Sequence, residues 1–204
     1  GVIYYLVNIF RLVLMLNLVI FGPPGSGKGT QATYIKEKYE LYHLSTGEML
    51  RKEMALKTEL GQKAENFVNN GQLVPDELVS EIIKKTLTEK MSQESGFIFD
   101  GYPRNGQQAQ ILEDILESLG LKIDIAINLT ASEPELIKRI VLRGQTSGRT
   151  DDNETIIKER LSIYYNNVSD LVSFYENRQQ LHEVNGEGDP AQVFSRIDKL
   201  IEQS

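Results

Sequence analysis

The 204-residue chain contains no cysteine and no tryptophan, and it has only two histidines. Without a thiol it can form no disulfide, no thiolate zinc centre and no cysteine nucleophile, and it lacks the usual mark of a small secreted scaffold. Basic residues are in deficit: 22 Lys and Arg face 29 Asp and Glu, a net charge of -7. That balance argues against nucleic acid as a partner, since a sequence-independent surface must be basic to displace counterions. Internal repeats and low-complexity linkers are also missing, so the length fits one α/β domain with small insertions. What is present, 40% hydrophobic and 25% charged residues, is enough to build a core.

One long apolar run occupies residues 1–21, GVIYYLVNIFRLVLMLNLVIF, and has the look of a signal peptide or membrane anchor. Arg11 interrupts it, and a charge at that depth costs about 2.5–3.5 kcal/mol on insertion scales. Leu16–Phe21 lead straight into a glycine-rich loop and are needed as a buried strand. About fifteen residues then remain, short of the ~20 that a spanning helix requires. No small-residue cleavage site precedes Met15. The expectation is that Met15 starts the domain and that residues 1–14 are an upstream extension, non-native or disordered, with no membrane partner.

From Met15 onward, strand-length apolar runs alternate with stretches of helical spacing. Strands are predicted at Leu16–Phe21, Tyr42–Ser45, Phe97–Asp100, Ile123–Leu129 and Leu181–Asn185. Helices are predicted at Lys28–Tyr39, Thr46–Leu56, Thr58–Asn69, Asp76–Lys90, Asn105–Leu119, Glu133–Arg143 and Pro190–Glu202. Another spans Asp152–Asn177, with a break near Val168–Asp170. Ser132 with Glu135 has the spacing of a capping box, and Gly144–Thr150 reads as an exposed loop. Such alternation implies a parallel sheet of about five strands covered by helices on both faces.

Gly22-Pro-Pro-Gly-Ser-Gly-Lys28-Gly-Thr30 sits where a strand ends and a helix begins. Gly25, Ser26, Gly27 and Gly29 let backbone N–H groups curl around phosphate oxygens at a helix N-terminus, and Lys28 reaches the terminal phosphates. The general pattern places Ser or Thr directly after the lysine, whereas here Gly29 intervenes and Thr30 carries the hydroxyl. In this strand-to-helix context the loop predicts a nucleoside triphosphate ligand. Asp100 ends an apolar strand, the position from which phosphate-loop enzymes commonly hold Mg²⁺, directly or through water. Arg104 follows it at the strand-end crevice.

Four stretches, GPPGSGKGTQA, HLSTGEMLR, FDGYPRNGQQA and GRTDDNE, occur in an order and spacing that resemble the nucleoside monophosphate kinases, adenylate kinases most closely. The resemblance covers Met15 to the last residue, and it includes the Gly-Lys-Gly-Thr form of the loop. It implies a phosphate-loop fold and the transfer of the ATP γ-phosphoryl group to AMP, giving two ADP. It further implies that Thr46, Arg51 and Arg104 hold the acceptor phosphate and that Gln108 reads the adenine edge. Gln72, Leu73 and Val74 would meet the acceptor base, with Gly101, Tyr102 and Pro103 lining the same site. By the same resemblance Arg143 serves ATP, Arg149 and Arg160 serve the transferring phosphoryl group and AMP, and Arg139 packs over the ATP adenine. Asp151 and Asp152 would help hold the lid arginines. Gly188 matches a backbone contact to the ATP base, and Thr30 with Asp100 would organise Mg²⁺.

Residues 45–74 would form a small acceptor-binding subdomain and 142–152 a short lid. A lid of this length without cysteine implies no structural zinc, and the short-lid form implies a cytoplasmic monomer. His43 and His182 read as non-catalytic. A UMP/CMP kinase is the rival within the family: Asn105 after Pro-Arg resembles that group, while Thr46 and Gln108 point to adenine. A rival from another class is a phosphate-loop binding protein without transferase activity, which the intact set of basic residues opposes. The acidic total thus conceals a focused positive site for small polyanions.

Overall fold

Strands buried on both faces need apolar residues at nearly every position, and the runs at Leu16–Phe21 and Ile125–Thr130 supply them. In the computed structural model, which describes residues 15–70, 74–147 and 154–204, these runs lie at the centre of a parallel sheet. The central strand β1 (Leu16–Phe21) pairs with β3 (Gly96–Asp100) on one side and β4 (Ile125–Thr130) on the other. β2 (Tyr42–Ser45) and β5 (Leu181–Asn185) form the edges, giving the order β2-β3-β1-β4-β5. Eight helices connect or follow them among the described residues: α1 (Lys28–Tyr39), α2 (Thr46–Ala55), α3 (Glu59–Asn69), α4 (Asp76–Lys90), α5 (Gly106–Ser118), α6 (Glu133–Ser147), α7 (Glu154–Asn177) and α8 (Pro190–Glu202). This is the α/β architecture the alternation predicts.

Because side chains alternate along a strand, each sheet face builds its own core. Leu18, Ile20, Ile98 and Ile127 pack under α1 (Ala32, Ile35) and α8 (Val193, Ile197, Ile201). Val19, Phe21, Phe97 and Phe99 lie under α4 (Ile82, Ile83, Leu87), α5 (Leu112, Leu116) and the C-terminal half of α7 (Leu171, Tyr175). A third cluster joins Leu136 and Ile140 of α6 to Ile157 and Leu161 at the start of α7. Each fully buried Leu, Ile or Phe contributes about 1.5–3 kcal/mol. The register sets Ser45 and Ile20 beside Asp100, and Phe21 beside Asn128, so the strands end at one edge.

Three local expectations are corrected. Helix α7 runs unbroken through Val168–Asp170. The Asp170 carboxylate is divided between two helices: Oδ2 accepts from the backbone N–H of Gly106 at 3.0 Å and so caps α5 from outside, while Oδ1 accepts from the N–H of Leu171 at 3.0 Å without interrupting α7. Helix α6 continues past Arg143 to Ser147, so the first half of the expected Gly144–Thr150 loop is helical. One helical glycine costs only about 1 kcal/mol, and the buried face of Leu136 and Ile140 holds the helix in place. The Ser132–Glu135 capping box is replaced by other partners. Ser132 N–H donates to Glu187 Oε1 at 2.7 Å, while Glu135 Oε1 accepts from Arg139 Nε at 2.8 Å.

Candidate active site

Loops that leave the C-terminal edge of a parallel sheet share one crevice. The β1–α1 loop turns on Gly25 (φ 83°) and Gly27 (φ 87°), backbone values that strongly favour glycine. A β-carbon on Gly25 would also stand 2.9 Å from Ile140 Cγ1, so the loop lies directly on α6. Lys28 opens α1, and its Nζ lies 2.8 Å from Asp100 Oδ1 at the end of β3. On the other carboxylate oxygen, His43 Nε2 stands at 3.0 Å from Oδ2. Burial alone would raise the Asp100 pKa, yet the His43 hydrogen bond and the Lys28 charge hold it below the usual carboxylate range. Thr30 is exposed in the first turn of α1.

On the β2–β3 side, Thr46 is the first residue of α2. Ser45 occupies the N-cap position but makes no side-chain capping bond, so the first N–H groups of α2 take no partner from it. Arg51 folds back over Gly47, with a guanidinium nitrogen 3.2 Å from where a β-carbon would stand. A β-carbon on Gly101 (φ 84°) would lie 3.4 Å from Thr46 Oγ1 and 3.9 Å from a terminal nitrogen of Arg104. Arg104 Nε donates to Gly101 O at 2.8 Å, and Tyr102 and Pro103 are buried beneath the turn. Asn105 caps α5, its Oδ1 accepting from Gln108 N at 2.8 Å. The Gln108 amide accepts from Arg104 N at 2.7 Å and donates to Asp76 Oδ1 at 2.9 Å.

The β5–α8 loop closes the crevice beside the phosphate loop. Gly186 N donates to Thr130 O at 2.7 Å, and a β-carbon on Gly186 would meet Leu129 Cδ2 at 2.7 Å and Ser26 O at 3.1 Å. Arg139 ties the pieces together: its guanidinium donates to Gly186 O at 3.0 Å and reaches Gly25 O and Ser26 O at 3.5 Å. Gly188 is exposed with φ 108°.

These features can be set beside known proteins. The family model described as adenylate kinase matches residues 20–180. An adenylate kinase of Phocaeicola vulgatus is 42% identical over 93% of this chain and 100% of its own length. Those of Porphyromonas gingivalis and Azobacteroides pseudotrichonymphae are 43% and 44% identical, over 93% and 92% of this chain and 97% and 98% of theirs. The chain belongs to the adenylate kinase family. It is therefore an enzyme of the nucleoside monophosphate kinase class, as its motifs imply.

For this adenylate kinase family member, the structure brings Lys28 to Asp100, Thr46 and Gly101 to Arg104, Arg104 to Gln108, and Arg139 to Gly25 and Ser26. Arg143 on α6 and Arg160 in the second turn of α7 are exposed, and Val74 is half-buried against the core. Gln72, Leu73, Arg149, Asp151 and Asp152 lie outside the described residues, as do residues 1–14. Two site residues escape sequence reasoning. His43 was only half readable: period-two alternation puts it on the face of Ser45, but the pairing of Ser45 with Asp100 is set by the sheet order. Asp76 had no such signal, since it meets Gln108 from 32 residues away.

Proposed function

We propose how these residues share the reaction of this family, the reversible transfer of the ATP γ-phosphoryl group to AMP that yields two ADP. The supporting observation is that Asp100 and Arg104, four residues apart, face Lys28 on one side and Thr46 on the other. Donor and acceptor anchors therefore share one strand end. Phosphoryl transfer spreads charge over several oxygens and asks the protein for fixed cations and positioning, not covalent chemistry. Lys28, with the N–H groups of Gly25, Ser26, Gly27 and Gly29, holds the triphosphate and leaves Asp100 to do so. Arg139 and Gly188 border the ATP base.

Thr46, Arg51 and Arg104 hold the AMP phosphate against the start of α2, where N–H groups that Ser45 does not cap suit an anion. Gln108 reads the base, which Gln72, Leu73 and Val74 meet, and Gly101, Tyr102 and Pro103 line this side. Arg143, Arg149 and Arg160 close over the reacting phosphates and help exclude water. Residues 45–74 are the acceptor subdomain and 142–152 the lid.

The oxygen donors Asp100 and Thr30 fit a Mg²⁺ that arrives with ATP and would hold it through water, with one Asp100 oxygen still partnered by His43. When bound, Mg²⁺ neutralises charge on the phosphates. No structural zinc enters this reading, and the enzyme acts as a cytoplasmic monomer. Among the described residues, no helix is long and apolar enough to cross a membrane. The α5-capping role of Asn105 accounts for that residue without reference to the base, which removes the main feature favouring a UMP/CMP kinase.

Replacing Arg104 with alanine tests the division of labour. A coupled ADP-formation assay with AMP, UMP, CMP and GMP should show AMP preferred by the unaltered enzyme. In Arg104→Ala, AMP turnover should fall about 10²–10³-fold, while ATP binding by titration stays intact. Equal loss on both sides would refute the assignment.

A further inference from the structure

Asp76 opens α4, and an acid in a first turn is commonplace because it complements the helix dipole. Its partner is not commonplace. Asp76 Oδ1 accepts from Gln108 Nε2 at 2.9 Å, while Gln108 Oε1 accepts from the Arg104 backbone N–H at 2.7 Å. A side-chain amide can turn over, exchanging its oxygen and nitrogen, and the two states are isosteric. Here both neighbours have a single role: a carboxylate can only accept and a backbone N–H can only donate. The amide is therefore gripped from both ends in one orientation.

That orientation matters for base recognition. After the two contacts are made, one amide N–H and one oxygen lone pair remain. Adenine presents an amino donor at C6 beside the N1 acceptor. A 6-oxopurine presents an acceptor at C6 beside an N1–H donor, the same two groups in reversed order. A freely turning amide would serve either base, whereas a gripped one serves a single order.

We infer that Asp76 is a positioning residue for base selectivity, holding the Gln108 amide in the orientation that accepts adenine and rejects 6-oxopurine monophosphates. The inference rests on Gln108 reading the acceptor base, as set out above. Asp76 touches no substrate itself; it acts through Gln108.

The test uses the full chain with MgATP and compares AMP with inosine monophosphate. Asp76→Asn keeps the shape but offers either a donor or an acceptor to Gln108, so one end of the grip is lost. The ratio of kcat/KM for AMP to that for inosine monophosphate should fall about tenfold, with the KM for ATP unchanged and the melting temperature lowered by no more than about 4 °C. Asp76→Glu keeps a group that only accepts and should retain most of the selectivity. Gln108→Leu should raise the KM for AMP and abolish the preference. If Asp76→Asn leaves the ratio within about twofold of the parent while Gln108→Leu collapses it, the role of Asp76 is refuted and the role of Gln108 stands. Loss of the ratio in Asp76→Glu as deep as in Asp76→Asn would likewise overturn it, since shape and not acceptor character would then matter. Should Gln108→Leu change neither KM nor ratio, the base-reading assignment falls and takes this inference with it.

Discussion

The two sides of the crevice are anchored by different means. On the donor side, backbone carbonyls are the acceptors: the Gly186 N–H bonds Thr130 O, the Gly186 loop lies against Ser26 O, and the Arg139 side chain reaches three carbonyls. Gln31 Nε2 adds a bond to Pro190 O at 3.0 Å. On the acceptor side, α2 and α3 share the apolar core with α4 and are also tied to it through one carboxylate. Glu53 is buried, accepts from Lys85 Nζ at 2.9 and 3.0 Å, and accepts from the Thr58 hydroxyl. Gly61 lets α3 approach so closely that a β-carbon there would stand 1.9 Å from Glu53 O. Each side holds a buried carboxylate below its usual pKa: Asp100 for the donor, Glu53 for the acceptor. Bonds to fixed carbonyls suit the preformed triphosphate cradle proposed above, and an ion-paired carboxylate suits the proposed acceptor part, which would close over its ligand.

Substitutions can press on this contrast from either side. The largest effect should come from Lys28→Met, which removes the cation proposed to bind the donor phosphates. Its kcat should fall about 10³-fold with the fold intact, as read by the coupled assay beside a thermal melt. Gly61→Ala and Gly186→Ala form the matched structural pair. Each forces an overlap expected to cost about 1–3 kcal/mol, but Gly61→Ala should raise the KM for AMP more than that for ATP, and Gly186→Ala the reverse. Identical shifts in both variants would dissolve the contrast.

Glu53→Gln should act more mildly, losing about 1–2 kcal/mol from the Lys85 and Thr58 interactions. It should also alter the acid limb of stability. Burial opposes ionisation of Glu53, but its Thr58 and Lys85 partners prevail and lower its pKa. The carboxylate therefore stabilises fully above the ordinary glutamate value of about 4.3, and that contribution fades as pH falls through the lower native value. Melts from about pH 6 down to about pH 3 should show a steeper loss in the parent than in Glu53→Gln.

Much of this was readable in the sequence, for identifiable reasons. β1, β2 and β5 match their predicted bounds residue for residue, as do α1, α4 and α8. Apolar runs and helical spacing are local signals. The phosphate loop was legible because its glycines serve local backbone geometry, visible in the positive φ at Gly25 and Gly27. What failed was decided by distant partners. Asp170 looked like a helix breaker because its partner, Gly106, is 64 residues away. Glu135 had the right spacing for a cap but found Arg139, and Glu187 took its place from 55 residues along. Asp76 and Lys85 belong to the same class: no local pattern marks a side chain whose role is to orient another.

The place of β1 at the middle of the sheet also bears on how the molecule is made. Leu18 pairs with Ile98 on one side and Ile125 on the other, so the strand formed first must wait for about 80 further residues before its nearer neighbour exists. At ribosomal rates of about 5–20 residues per second, that delay is roughly 4–16 s. During it, Leu-Asn-Leu-Val-Ile-Phe is an unpaired apolar strand with the make-up of an aggregation-prone segment. A slower-growing chain or a hotter cell would lengthen or sharpen that exposure, so the strand that centres the finished enzyme is also a vulnerable stretch during synthesis.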